Sequence, residues 1–338
     1  MKALVFTGRN EFVIEDRDIP EIGPFEVLVK VNFAGLCGTD LHILSGDLQS
    51  EFPIIPCHEF SGVVADTGSE VTNLQKGDKV VVNPVLSCGT CDYCLNGMEN
   101  YCESFKCYGG SLDGGFSEYT RVHENNACKL DSKIDLREAV LLEPLACALY
   151  GISKIEIDMG DTALIFGMGT MGLLMLQLLR NKGVSRVAMV DVNTKKFKKA
   201  ESLGACRALL NDGMLDDRLK DISPRGFDIL IDATGVREVC QQVFKYFTVN
   251  SRILLYGVCK PEDEINIKPH TLYRNDLSVY GAFSFSRDKL LSAIKILSNN
   301  MVDLKNLISH ELRVEEFKKS LEILKSGEAV KIIFDLND

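Results

Sequence analysis

The sequence predicts an α/β protein in two parts, a doubly wound parallel sheet and a β-rich domain. From about residue 151, short apolar β-type runs alternate with helical stretches, the pattern of βαβ units. Before that point, residues 1–7, 27–33, 62–66 and 79–83 are β-branched or alternating runs set between turn residues. The length of 338 residues suits about two domains.

With 46% hydrophobic and 25% charged residues, the chain can bury a sizeable core. Lys and Arg number 38 against 48 Asp and Glu, a formal charge of −10, which argues against a nucleic-acid partner. Residues 1–16 alternate and carry charge early, unlike a signal peptide. A cytoplasmic, reducing compartment is therefore expected, where 12 cysteines point to metal rather than to disulfides. Residues 162–179 lack charge, but their glycines make them a strand–turn–helix unit, and no membrane partner is expected.

Taken in order, the β-rich part contains a turn-rich passage between Cys37-Gly-Thr39-Asp-Leu-His42 and Cys57-His58-Glu59. Thiol, imidazole and carboxylate are ordinary zinc ligands. Alone, these residues read equally well as satisfied core or surface groups. Next comes Cys88-x2-Cys91-x2-Cys94-x7-Cys102, four thiols within fifteen residues. That spacing matches a closed tetrahedral zinc site with a structural role; an iron–sulfur cluster or free thiols are the alternatives. Glu143-Pro144 then stands in an apolar helical stretch, 139–152. A carboxylate there calls for a partner or a metal, or else it caps the helix or faces solvent.

Six candidate strands follow, 163–166, 186–190, 205–210, 228–232, 252–256 and 277–281, enough for a complete doubly wound sheet. The first leads into Gly167-Met-Gly169-Thr-Met171-Gly172, which opens a helix. In that context the glycines serve a tight turn, close approach of a pyrophosphate, and helix–strand packing. Asp191 ends the second strand, where a carboxylate binds the ribose 2′-hydroxyl of NAD and repels a 2′-phosphate; a plain strand-end Asp is the alternative. The tail reads as a helix at 290–297, a linker, a helix at 314–325 and a strand at 330–336. Since the sheet is already complete, the tail is expected to return to the first domain. The expected division is 1–150 with a zinc lobe at about 86–104, then 151–285, then 286–338.

With these motifs in place, the chain resembles the zinc-dependent medium-chain alcohol dehydrogenases along essentially its whole length. Within them it is similar to the polyol branch, the sorbitol- and arabitol-type dehydrogenases. The resemblance implies a GroES-like catalytic domain beside a Rossmann domain, and two zinc ions and NAD as cofactors. It implies catalytic zinc held by Cys37, His58 and Glu59 or Glu143, and a proton passed through Thr39 and His42. It implies dinucleotide contacts from Gly167, Gly169, Met171, Gly172, Asp191, Lys196, Thr234 and Val258. A homo-oligomer, tetramer or dimer, is expected on the same ground. The reaction implied is reversible oxidation of a secondary hydroxyl of a small polyol, or of its phosphate, to a ketone. A simple alcohol or amino-alcohol dehydrogenase and a non-catalytic zinc and dinucleotide binder are the rivals. Three departures matter: Cys57 replaces the usual glycine, Ile43 replaces a tyrosine of sorbitol dehydrogenases, and Ser284 stands near their arginine. The last two turn the expectation away from sorbitol, because sites that hydrogen-bond substrate hydroxyls discriminate strongly.

Overall fold

The computed structural model describes residues 1–337. It divides into two compact units, one of residues 1–146, 285–300 and 304–338, the other of residues 147–284 and 301–303.

The first unit is built on a seven-stranded sheet in the order Ile308–Arg313, Lys331–Asp335, Glu26–Gly35, Glu59–Thr67, Lys79–Val82, Ala127–Lys129, with Tyr119–His123 also pairing with Glu26–Gly35. Along Glu26–Gly35 the side chains of Val27, Val29 and Val31 are buried while their neighbours are more open, the period-two signature of a one-sided strand. Phe6, Phe116, Phe317 and Phe334 are fully buried and meet at tilted or edge-to-face angles, with ring centroids 5.1 Å apart for Phe116 and Phe334.

Several elements depart from the sequence reading. The turn-rich passage contains a helix, Gly38–Ser45, closed by Gly46 in a left-handed conformation. The stretch at 139–152 is two helices, Leu136–Ala139 and Leu142–Ser153, with Glu143 in the first turn of the second. The tail linker contains the strand Ile308–Arg313, a sheet edge that pairs in parallel with Lys331–Asp335. Its Ser, His, Glu and Arg give it no apolar run to read.

The second unit is a six-stranded parallel sheet in the order Arg207–Leu210, Arg186–Asp191, Thr162–Phe166, Phe227–Asp232, Phe247–Leu255, Ser278–Gly281. This is the doubly wound Rossmann order, whose direction reverses between the strands ending at Phe166 and Asp232. Ligands of such sheets bind beyond the carboxyl ends at that switch point. No helix among the described residues is long and apolar enough to cross a membrane.

Candidate functional site

In the first unit, donor atoms of Cys37, His58 and Glu59 lie within 4.8 Å of one another. Cys37 precedes the helix Gly38–Ser45, whereas His58 and Glu59 lie at the start of the strand Glu59–Thr67. Asp40, which is fully buried, closes the gap. Its carboxylate accepts the Cys37 N–H at 2.9 Å and the Cys57 N–H at 3.0 Å, so one side chain ties both segments together. Burial raises the Asp40 pKa, opposed chiefly by the charge of His58.

His58 reports the electrostatics of the cluster. Burial opposes its charge, yet the Cys37 thiolate, hydrogen-bonded to it, with Glu143 and Asp40 behind, raises its pKa well above the usual histidine value. The pocket therefore favours a cation among anionic donors, and a thiolate, an imidazole and a carboxylate suit zinc. The residues fit the metal. Glu143 is buried and stands outside the three-donor group, though near enough to act on His58.

Behind Glu59 lies a lysine that no motif marks out. Lys331 is 4% exposed, forms an ion pair with the Glu59 carboxylate and donates to Leu36 O at 2.9 Å. Burial works against its charge, but Glu59, then Cys37 and Glu143, raise its pKa above the lysine norm. Gly35 makes the pair possible, since a Cβ there would sit 2.7 Å from Glu59 Oε2 and 3.0 Å from Lys331 Cε. Lys331→Met leaves a buried anion without its partner. Metal-depleted protein carrying it is expected to lose about 3–5 kcal/mol of unfolding free energy in denaturant titrations. Zinc should restore part of that loss.

Cys57 is fully buried with φ of 82°, a left-handed conformation that suits glycine, and burial raises its thiol pKa well above normal. Its sulfur faces the carbonyls of Gly35 and Glu59, at 3.4 and 3.2 Å, and it is not among the three clustered donors. Cys57→Gly is expected to keep zinc and most activity. Relief of left-handed strain and loss of a buried thiol each amount to about 1 kcal/mol with opposite signs. Loss of the catalytic metal, read by elemental analysis, would contradict this.

Thr39 Oγ1 lies 3.7 Å from Cys37 Sγ. The His42 ring is exposed, with Nδ1 3.8 Å from an Asp47 carboxylate oxygen. Ile43 is 1% exposed within the apolar core.

Cys88, Cys91, Cys94 and Cys102 also bring their sulfurs within 4.8 Å of one another. Backbone N–H groups point at these sulfurs: Thr90 and Cys91 donate to Cys88 at 3.4 and 3.3 Å, Cys88 and Ser104 to Cys102 at 3.3 Å each. The N–H and hydroxyl of Thr90 lead in lowering the Cys88 pKa to about 6, whereas burial leads in raising Cys94 to about 12. Amides aimed at sulfur favour thiolates, and four thiolates gathered this closely fit a zinc ion with no open position.

In the second unit, Gly167 has φ of 102° and opens the turn into the helix Thr170–Asn181, which Gly169 precedes. A Cβ at Gly172 would stand 2.0 Å from Gly167 O, so helix and turn pack closely. A Cβ at Gly169 would meet nothing within 4 Å, leaving room for a ligand to approach the backbone at the helix N-terminus. Asp191 Oδ2 accepts the Met168 N–H at 2.7 Å and Oδ1 the Asn193 N–H at 2.9 Å. The carboxylate is thus fixed beside the glycine turn, with lone pairs left for a ribose hydroxyl. Met171 lies in the first helical turn, Lys196 is half-buried after Asp191, and Thr234 and Val258 are exposed past the strands ending at Asp232 and Leu255. The arrangement fits a dinucleotide.

Two family descriptions match the chain, an alcohol dehydrogenase GroES-like domain over residues 23–132 and a zinc-binding dehydrogenase over residues 170–299. The chain is 34% identical to D-altritol 5-dehydrogenase of Agrobacterium fabrum, covering 94% of both proteins. It is 31% identical to D-arabinitol dehydrogenase 1 of Uromyces fabae, covering 98% of this chain and 96% of that one. A zinc-binding dehydrogenase of Sinorhizobium meliloti, solved with NADP, superimposes with a TM-score of 0.93 at 29% identity over 99% of this chain and 98% of that one.

Proposed function

The chain belongs to the zinc-dependent medium-chain alcohol dehydrogenases, oxidoreductases acting on CH–OH groups, and from that premise we propose that it oxidises a secondary hydroxyl of a small polyol with NAD, reversibly, to the ketone. The observation that carries the reading is the three-donor cluster of Cys37, His58 and Glu59. The polyol class is supported by the two polyol dehydrogenases to which the chain is similar along nearly its whole length.

When bound, zinc supplies Lewis acidity at the substrate oxygen, and NAD accepts the hydride. Cys37, His58 and a carboxylate, Glu59 or Glu143, would hold the catalytic zinc, and the four-cysteine lobe a second, structural ion. Asp40 keeps Cys37 and His58 in register, while Lys331 fixes and balances Glu59. Thr39, beside Cys37, accepts the substrate proton and His42, exposed at the surface, hands it to solvent. Gly167, Gly169, Met171 and Gly172 would receive the pyrophosphate and Asp191 and Lys196 the adenosine ribose, with Thr234 and Val258 as further dinucleotide contacts. We also infer a homo-oligomer, dimer or tetramer, which sedimentation measures, and a reducing cytoplasmic setting that suits a thiol-rich chain.

A panel of pentitols, hexitols, their phosphates, simple alcohols and threonine, assayed on metal-quantified protein with NAD and NADP, tests the reading. The highest kcat/KM is expected for a pentitol, a hexitol other than sorbitol, or a polyol phosphate. A maximum for ethanol, threonine or sorbitol would each defeat a distinct part. NAD is expected to exceed NADP in kcat/KM, because Asp191 repels a 2′-phosphate. Asp191→Ser should narrow the gap, and NADP-favouring values in the parent protein would contradict the assignment.

A further inference from the structure

Outside the zinc lobe, Cys240 and Cys259 bring their sulfurs to 3.3 Å of one another. A disulfide measures about 2.05 Å, so closure requires an approach of little more than about 1 Å. Cys240 is buried on the helix Arg237–Val243, and Cys259 is partly exposed beyond the strand Phe247–Leu255. The pair is not a metal site of the kind seen elsewhere in the chain. Among the described residues, the three-donor and four-donor clusters are the two already described, and neither includes these thiols.

The pair sits at the switch point of the sheet. Asp232, fully buried at the end of its strand, accepts the Cys240 S–H at 3.1 Å, the Thr234 N–H and O–H at 3.0 and 2.6 Å, and the Gly235 N–H at 3.2 Å. Its carbonyl accepts the Tyr256 and Gly257 N–H groups. The two loops also touch directly, since a Cβ on Gly235 would lie 2.5 Å from Val258 O. Cys240 is thus anchored, whereas residues 256–268 carry no regular structure. Closure must draw Cys259 inward, and Val258, exposed beside it, moves with it.

We propose that Cys240 and Cys259 are a reversible redox pair whose oxidation by a hydroperoxide closes a disulfide and weakens dinucleotide binding at the neighbouring Thr234 and Val258. The second half rests on the dinucleotide reading above. The partly exposed Cys259 sulfur attacks the peroxide oxygen, the O–O bond breaks, an alcohol or water leaves with the thiol proton, and a sulfenic acid forms. The Cys240 sulfur then attacks the Cys259 sulfur, the S–O bond breaks, and water departs with the Cys240 proton, passed through Asp232 Oδ2. Two thiols are oxidised by two electrons while one hydroperoxide is reduced.

The test treats the zinc-replete, reduced protein with hydrogen peroxide, alkylates it in denaturant and maps its peptides, alongside calorimetric titration with NAD. A Cys240–Cys259 cross-linked peptide is expected while the lobe thiols stay alkylatable. The Kd for NAD should rise several-fold and return with dithiothreitol. Cys259→Ser and, separately, Cys240→Ala should abolish both effects, so a folding failure in one leaves the other as the control. Full alkylation of both cysteines after peroxide overturns the proposal, as does a cross-link that leaves the Kd unchanged. If the reduced protein fails to bind NAD, the dinucleotide reading falls and takes the regulatory half with it; the peptide map, which needs no cofactor, still decides the thiol chemistry.

Discussion

Replacing His58 with alanine is expected to abolish turnover in a protein that remains folded. His58 is one of three clustered donors, and burial allows no solvent group to take its place cheaply. Loss of a partner that merely orients a ligand already costs about 10–100-fold in metal affinity or activity. Removing a ligand should exceed that range, so kcat/KM is expected to fall by more than about 100-fold. Elemental analysis should find one zinc fewer per chain, with the lobe still occupied. The melting temperature should change little, because Asp40 still ties Cys37 to Cys57. Undiminished zinc content with near-parental activity would remove His58 from the metal centre. The raised pKa of His58 adds a sign to the pH dependence. A proton and the metal compete for the same imidazole, so zinc uptake releases a proton and weakens as pH falls.

Cys94→Ser should act on the fold instead. The loop from Cys88 to Cys102 holds only short helical turns, Asp92–Leu95 and Glu99–Tyr101, and leaves Tyr93, Leu95, Met98 and Tyr101 exposed. It has too little apolar core of its own to stay ordered, so metal ligation must supply the missing free energy. Structural zinc contributes about 10–16 kcal/mol to the folding of small zinc peptides. If even about 3 kcal/mol reaches the surrounding unit, the melting temperature falls by about 6–12 °C. Calorimetry with paired zinc analysis measures both. A variant that keeps its second zinc and its melting temperature would show that three thiolates and a hydroxyl or water suffice.

What the sequence disclosed here was local. The four lobe cysteines fall within fifteen residues and the glycine turn within six, so their spacing reports their geometry directly. The six-stranded sheet was legible because its central strands, Thr162–Phe166, Arg186–Asp191 and Phe227–Asp232, are apolar runs largely buried on both faces. The strand Phe247–Leu255 proved longer than the 252–256 read from sequence, since its first residues are polar or exposed. The helix Gly38–Ser45 was hidden by its brevity and by a glycine at its first position. Asp40 stood in plain view inside a motif, but its function depends on Cys57 N–H, seventeen residues away. Lys331 had no signal at all, because a lysine acquires meaning only from the carboxylate it is buried against.

The bond from Lys331 to Leu36 spans 295 residues, and that separation sets an order of events on the ribosome. The cysteine, histidine and glutamate of the metal cluster emerge early in synthesis, long before the lysine that balances Glu59. The sheet strands of the second unit, between Thr162 and Gly281, emerge in one continuous stretch and can pair while Lys331 is still untranslated. The nascent first unit must meanwhile keep the Glu59 carboxylate hydrated or bind a metal at once. Such a distant closure also makes the first unit the slower to settle, since the entropy of a long loop is lost before the ion pair can form.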